Sequence, residues 1–259
     1  MAIKKFTALL TALALLSGCG GGNSSSGGAS PPPPPASASA AAGIWFGTET
    51  PSGSSVFGVI DGAGDVRFVV GGNAQYSGSV TMSGDSASAN IEGFASFPNT
   101  FADGSIHGAG AVSGTVSQGV SAQLTNHFTT DAGAAASGSI ALEYEKMYDQ
   151  PSSLAAIAGN YTDSATQTVV SINSDGAITA QDPSSGCIIN GTISVIDPAH
   201  AAYRVSLTPA DCAGPSAVLN GIMFTGLAAA GDIENARILA MVSGTGQSGA
   251  KYGLIFWLY

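Results

Sequence analysis

From residue 43 to the last residue, apolar and polar side chains alternate in short runs, and each run is broken by Gly, Asn, Asp, Pro or Ser. Alternation of period two is the signature of half-buried strands, and those residue types are the ones tight turns require. In the second half the runs fall at roughly 159–163, 167–173, 177–182, 187–196, 202–208, 217–227, 236–243 and 251–259. Ile189, Gly191, Ile193 and Val195 share one face of such a run, and Asn190, Thr192 and Ser194 share the other. Eight matching runs lie between about 43 and 147, and no window sustains a helical period. Ser152 to Ala158 is compatible with one short helical turn. The pattern predicts an all-β chain.

The two sets of runs read as copies of each other. Gly43-Ile44-Trp45 is echoed by Gly159-Asn160-Tyr161, and the segment Val59–Val66 by Ser171–Ile178. Tyr76–Val80 is echoed by Ile189–Ile193, Val112–Thr115 by Leu219–Ile222, and Ser137–Tyr144 by Tyr252–Tyr259. The glycines in these matches are offset by 116, 112, 113, 107 and 115 residues. A repeat in fixed order at nearly constant spacing predicts two tandem domains, 43–148 and 151–259. Eight sequential strands with short connections favour an antiparallel up-and-down barrel for each, since closure removes exposed edges. The Gly-x-Trp/Tyr openings at Gly43-Ile44-Trp45 and Gly159-Asn160-Tyr161 resemble the first strand of the small-barrel group of lipocalins, avidins and bacterial barrel-type inhibitors. That resemblance implies architecture. It does not bring biotin binding with it, because Trp45 and Trp257 are the only tryptophans. Ala- and Gly-rich strands suggest that each barrel is closed and filled.

The amino terminus follows different rules. Lys4 and Lys5 precede an apolar stretch from Phe6 to Leu16, which has the length of a signal-peptide core and is too short to span a bilayer. Leu16-Ser17-Gly18-Cys19 resembles the lipobox of bacterial lipoproteins. The resemblance implies removal of residues 1–18, a diacylglyceryl thioether on Cys19 and an acyl chain on its new amine. Several acyl chains at ~0.8 kcal/mol per buried CH₂ hold a protein on a membrane durably. Gly20 in second place of the mature chain, rather than Asp, points within the same resemblance to the outer membrane, facing the periplasm or the cell surface. Residues 19–42 then form a Gly/Ser/Pro-rich tether. Its coil part cannot offset its ordering entropy, Pro31 to Pro35 is a short polyproline II spacer, and its reach is roughly 25 Å.

Charge narrows the partners. Loss of Lys4 and Lys5 leaves five basic residues against 17 acidic ones, and those five are scattered. Nucleic-acid binding lacks its basic footprint, and contact with the membrane falls to the lipid on Cys19 alone. The other two cysteines, Cys187 and Cys212, suit a disulfide in an exported chain, worth ~3.5 kcal/mol on the chain-entropy model. His107, His127 and His200 show no ligand spacing with them, so no metal or other cofactor is expected.

Candidate chemistry is sparse. Asp61, Asp65, Asn173 and Asp175 offer calcium-type oxygens, yet both sets fall between the second and third strands, where a hairpin turn is required. Gly246–Ala250 approaches the nucleophile-elbow pattern, but no Asp, Glu or His follows it, and it reads as the last hairpin turn. Glu143 with Glu145, and Asp232 with Glu234, are local pairs of solvated charge rather than carboxylates across a cleft. The apolar Leu254–Tyr259 departs from its counterpart Ile140–Tyr144 by placing Phe256 and Leu258 on what would be the polar face. Three coverings suit that face: packing between the domains, a partner groove, or the insertion signal of an outer-membrane barrel. With no catalytic constellation, the expectation is a lipid-anchored, non-catalytic binding or envelope-interaction module. The alternatives are a periplasmic inhibitor of a protease or lysozyme, and a small-ligand carrier.

Overall fold

The alternation resolves into sixteen antiparallel strands in the computed structural model, which describes residues 40–259. Cys19, the leader 1–18 and most of the tether 19–42 lie outside the described residues. The first eight strands are β1 (Gly43–Thr50), β2 (Ser55–Ile60), β3 (Asp65–Val70), β4 (Ala74–Ser83), β5 (Ser86–Ala95), β6 (His107–Ser117), β7 (Ser121–Thr130) and β8 (Ala135–Glu145). Each pairs with the next, and β1 pairs with β8 from Ile44↔Glu145 to Thr50↔Ser139, which closes a barrel. Its lower end is sealed by the entering chain. Ala41 is buried there, and Trp45 Nε1 donates to its carbonyl at 3.0 Å. Ala41 is therefore packed into the end of the barrel.

Between the halves lie a 3₁₀ turn at Lys146–Asp149 and a one-turn helix, α1 (Leu154–Ile157), capped by Ser153 Oγ accepting from Ala156 N at 3.1 Å. The second eight strands are β9 (Gly159–Thr162), β10 (Val169–Ile172), β11 (Ala177–Gln181), β12 (Ile188–Val195), β13 (Ala202–Ala210), β14 (Phe224–Ile233), β15 (Ala236–Thr245) and β16 (Lys251–Leu258). They form one meander in sequence order.

The repeat extends to individual hydrogen bonds. Asp61 N donates to Asp65 O, Gly64 N to Asp61 O and Val80 N to Gly64 O; Asn173 N, Gly176 N and Ile193 N make the same three bonds to Ala177, Asn173 and Gly176. Gly64 and Gly176 occupy the same position-specific left-handed conformation, with φ +91° and +86°, where a side chain would be strained. Tyr161 hydroxyl donates to Ile157 O at 2.9 Å, as Trp45 does to Ala41 four residues upstream.

Closure was expected of both sheets, and the second remains a half-barrel. Its β9–β16 seam is reduced to one bridge, Asp163↔Leu258, with Thr162 and Tyr259 exchanging backbone bonds beside it. These pairs occupy the register of Gly47↔Leu142 and Phe46↔Glu143 in the first seam. Beyond them Asp163 turns the chain away. One carboxylate oxygen accepts from Ala165 N, Thr166 N and Thr166 Oγ1, and the other takes Trp257 N at 2.9 Å in place of a strand partner.

A second difference lies before β14, where the run 217–227 was expected to be extended. Gly214–Leu219 is a 3₁₀ turn, and the strand starts at Phe224. Pro215 has no N–H to give a ladder, and Asn220 instead closes the loop by bonding both the N–H and the carbonyl of Cys212. The Leu219–Ile222 match, with its outlying offset of 107, is thereby broken.

The halves pack face to face. The outward side chains Ile44, Phe57, Val59 and Val69 of β1–β3 meet Leu227, Ala229, Leu239, Met241 and Trp257 of β14–β16. Strands β14 and β15 consequently bury both faces. Ile238, Ala240 and Val242 point into the half-barrel, while Leu239 and Met241 point at the barrel. Two charged contacts flank this patch. Arg204 binds Asp61 at 2.8 Å and Asp65 at 3.1 Å, and Lys251 pairs with Glu92. Gln75, fully buried, donates Nε2 to Val242 O at 2.6 Å. The face of the C-terminal segment that needs covering is thus covered by the first barrel, but it is the face of Ile255 and Trp257. The match of Gly138 to Gly253 is one residue out of register. Thr129↔Ala135 and Thr245↔Lys251 fix the offset at 116, and a slip of one exchanges the faces of a strand. Phe256 and Leu258 belong to the half-barrel's interior.

Candidate functional site

Inward positions on the first eight strands are Trp45 and Glu49 on β1, Val66 and Phe68 on β3, Tyr76 on β4, Ala89 and Ile91 on β5, and Leu124 and Asn126 on β7. In an eight-stranded barrel such residues either fill the interior or leave room for one small ligand. Ala87, Ala89 and Ala122 leave gaps among the larger side chains, and a cavity of about 60 Å³ remains. Ala89, which pairs with Val80 and Val112, lines this cavity. The interior is therefore not filled, contrary to the expectation from the Ala- and Gly-rich strands.

The cavity is polar at one end. Glu49, Tyr76 and Asn126 converge at the mouth opposite Ala41, below the connection from Ala95 to His107. Phe101 of that connection stacks at a tilt on Phe128, centroids 5.4 Å apart, and Phe128 meets Tyr76 edge-on at 5.4 Å. Burial and the neighbouring Glu49 charge push the Tyr76 hydroxyl up to about 12, so it is neutral at ordinary pH. Asn126 is 8% exposed, and its buried Oδ1 has no hydrogen-bond partner. A buried amide oxygen left unpaired costs about 1–3 kcal/mol, which a donor from a ligand would recover.

The second copy provides the comparison. By strand register Tyr76 corresponds to Ile189, Asn126 to Val242 and Gly138 to Leu254. The half-barrel's interior is lined by apolar side chains alone, among them Ile172, Ile193, Leu207 and Phe256, around about 30 Å³. The hollow of the second copy is smaller and apolar throughout, and that of the first is polar at one end.

Other residues singled out from the sequence fall into structural places. The sulfurs of Cys187 and Cys212 are 2.02 Å apart, a disulfide. Asp61 and Asp65 shape a hairpin turn and bind Arg204, while Asn173 and Asp175 shape the equivalent turn. Gly246–Ala250 forms the β15–β16 turn, with Gly246 N bonded to Ala250 O at 2.8 Å. Asp232 is the penultimate residue of β14 and Glu234 stands in the turn after it at φ +48°, whereas Glu143 and Glu145 lie at the end of β8. His107 is buried with Nδ1 3.0 Å from Asp131, His200 stacks on Tyr148, and His127 is exposed on β7. Among the described residues no cluster of three or more His, Cys, Asp or Glu could hold a metal ion, and no helix is long and apolar enough to cross a membrane. Glu49, Tyr76 and Asn126 were not singled out from the sequence. Aligning the copies by strand register rather than by glycine matches exposes Asn126 as a polar residue on an otherwise apolar face.

Compared with known proteins, the chain matches no family model, no curated protein and no solved structure.

Proposed function

We propose that the protein is a non-catalytic binding module, tethered to the bacterial outer membrane through lipid on Cys19, and that its ligand enters the first barrel. The observation that carries the binding part is the hollow, apolar interior with an unpartnered buried Asn126 at one end. A preformed apolar pocket with a few convergent polar groups is the usual form of a small-molecule site, commonly of about 300–1,000 Å³, and at about 60 Å³ this one takes only a very small ligand. The half-barrel, packed against β1–β3, supports the receptor barrel rather than offering a second polar-ended pocket. The anchor rests on the lipobox-like Leu16-Ser17-Gly18-Cys19 and the tether behind it. Of the readings the sequence left open, the small-ligand carrier gains most from this geometry.

The binding part is tested by isothermal titration of the full chain with a small neutral alcohol, 1-propanol, which matches a cavity of about 60 Å³. Saturable binding that Ala89→Val weakens, with the thermal transition retained, is the expected result. Binding untouched by that substitution would place the ligand elsewhere. The anchor is tested by metabolic labelling with an alkyne fatty acid, which should mark the wild type and not Cys19→Ala.

A further inference from the structure

The polar end of the cavity is chemically one-sided. A Cβ placed on Gly138 would lie 3.1 Å from Asn126 Oδ1, 3.1 Å from Glu49 Oε1 and 2.4 Å from the carbonyl oxygen of Thr50. The Thr50 carbonyl belongs to the neighbouring strand and leaves no room for a side chain there, and beside it the inner face is bounded by two side-chain oxygens, one of them acidic. Tyr76, the third polar side chain, can donate or accept. None of the cavity-lining side chains is Lys, Arg or His. In the half-barrel the corresponding positions are Val242 and Leu254, so the oxygen cluster belongs to the first copy only.

An assembly of acceptors with a carboxylate and no cation rejects an anion and leaves a neutral hydroxyl with one or two bonds. An ammonium brings three donors and a charge, and charge-assisted bonds are about twice as strong as neutral ones. The rest of the cavity is apolar, so the group it complements is an alkyl or aryl tail. We propose that the first barrel selects small amphiphilic amines, the ammonium held by Glu49 and Asn126 beside Gly138 and the tail lying against Ala89, Ile91 and Leu124. The cavity of about 60 Å³ suits a short tail. This selectivity rests on the reading of the first barrel as a ligand site. It names the class of ligand that the site takes.

The test uses the full chain carrying Cys19→Ser, so that no detergent competes, and three probes with the same short tail: propylamine, 1-propanol and propanoate. Isothermal titration at neutral pH should rank the amine first by about tenfold over the alcohol, with the acid weakest. Glu49→Gln should bring the amine down to about the alcohol's affinity and change the alcohol far less than the amine. A tenfold preference that survives Glu49→Gln would overturn the assignment of the carboxylate. Equal binding of all three probes to the wild type would overturn amine selectivity while keeping the barrel as a ligand site. No binding by any probe would remove the ligand site itself. Asn126→Asp, which adds a second carboxylate at the same place, should strengthen the amine further and weaken the acid; the opposite order would count against the proposal.

Discussion

Whether the first barrel is hollow can be decided by the sign of one stability change. Ala89 lines the cavity midway along β5, between Val80 and Val112. Ala89→Val adds two carbons into a cavity of about 60 Å³ without changing the backbone. At ~0.8 kcal/mol per buried CH₂ the gain is at most about 1.6 kcal/mol, and ordering the new side chain returns part of it. Valine also favours the extended conformation. The expected outcome is a stabilisation of about 1 kcal/mol, read as a rise of the urea midpoint by about 0.4 M for a slope near 2.5 kcal/mol/M. The same substitution should weaken binding of a neutral apolar probe, because the space is shared. A well-packed interior would respond oppositely, since overpacking costs about 1–3 kcal/mol. Destabilisation by that amount, with the slope unchanged, would refute the hollow barrel and the ligand site built on it.

Replacing both Cys187 and Cys212 by Ser opens a loop whose ends are 25 residues apart. It should cost about 3.5 kcal/mol in chemical denaturation, and a reductant should reproduce the loss in the wild type. Met241 is fully buried between the halves, so Met241→Ala should cost about 2–5 kcal/mol and lower a transition shared by both. A loss under about 1 kcal/mol would mean the contact does not couple them. Burial holds the hydroxyls of Tyr76 and Tyr148 up to about 12, above the value near 10 of an unfolded tyrosine. The stability this represents is complete below pH 10 and lost as pH rises from about 10 to 12. Alkaline denaturation should follow that window and become shallower in Tyr76→Phe; an unaltered profile would show that Tyr76 does not contribute.

Much of the fold is written in local pattern. The Gly64 and Gly176 turns and the Trp45 and Tyr161 strand openings are short-range features, each visible in a few residues. What the pattern did not carry was register at distance. Matching Gly138 to Gly253 put Phe256 and Leu258 on the outside, because identical residue types outvoted the strand partners that set the offset at 116. Closure was illegible for a similar reason. The alternation of β9 is compatible with either outcome, and the seam is decided by where Asp163 spends its two oxygens. The candidate site was hidden because a hollow is a property of summed volumes. Asn126 is an unremarkable polar residue until its inward direction and its missing partner are both known.

The contact between the halves also divides the first barrel mechanically. Its β1–β3 wall is braced by β14–β16, and β4 is tied down through Gln75. The opposite wall presents Asn90, Ser113, Thr115, Gln123 and Thr125 to water, and β6 there carries Gly108, Gly110 and Gly114 without the stiffness side chains give. The first barrel is thus a cup braced on one side, and its unbraced side should be the more compliant. Traffic into the cup should pass through the compliant one, and amide exchange in β6 and β7 should outpace that in β2 and β3.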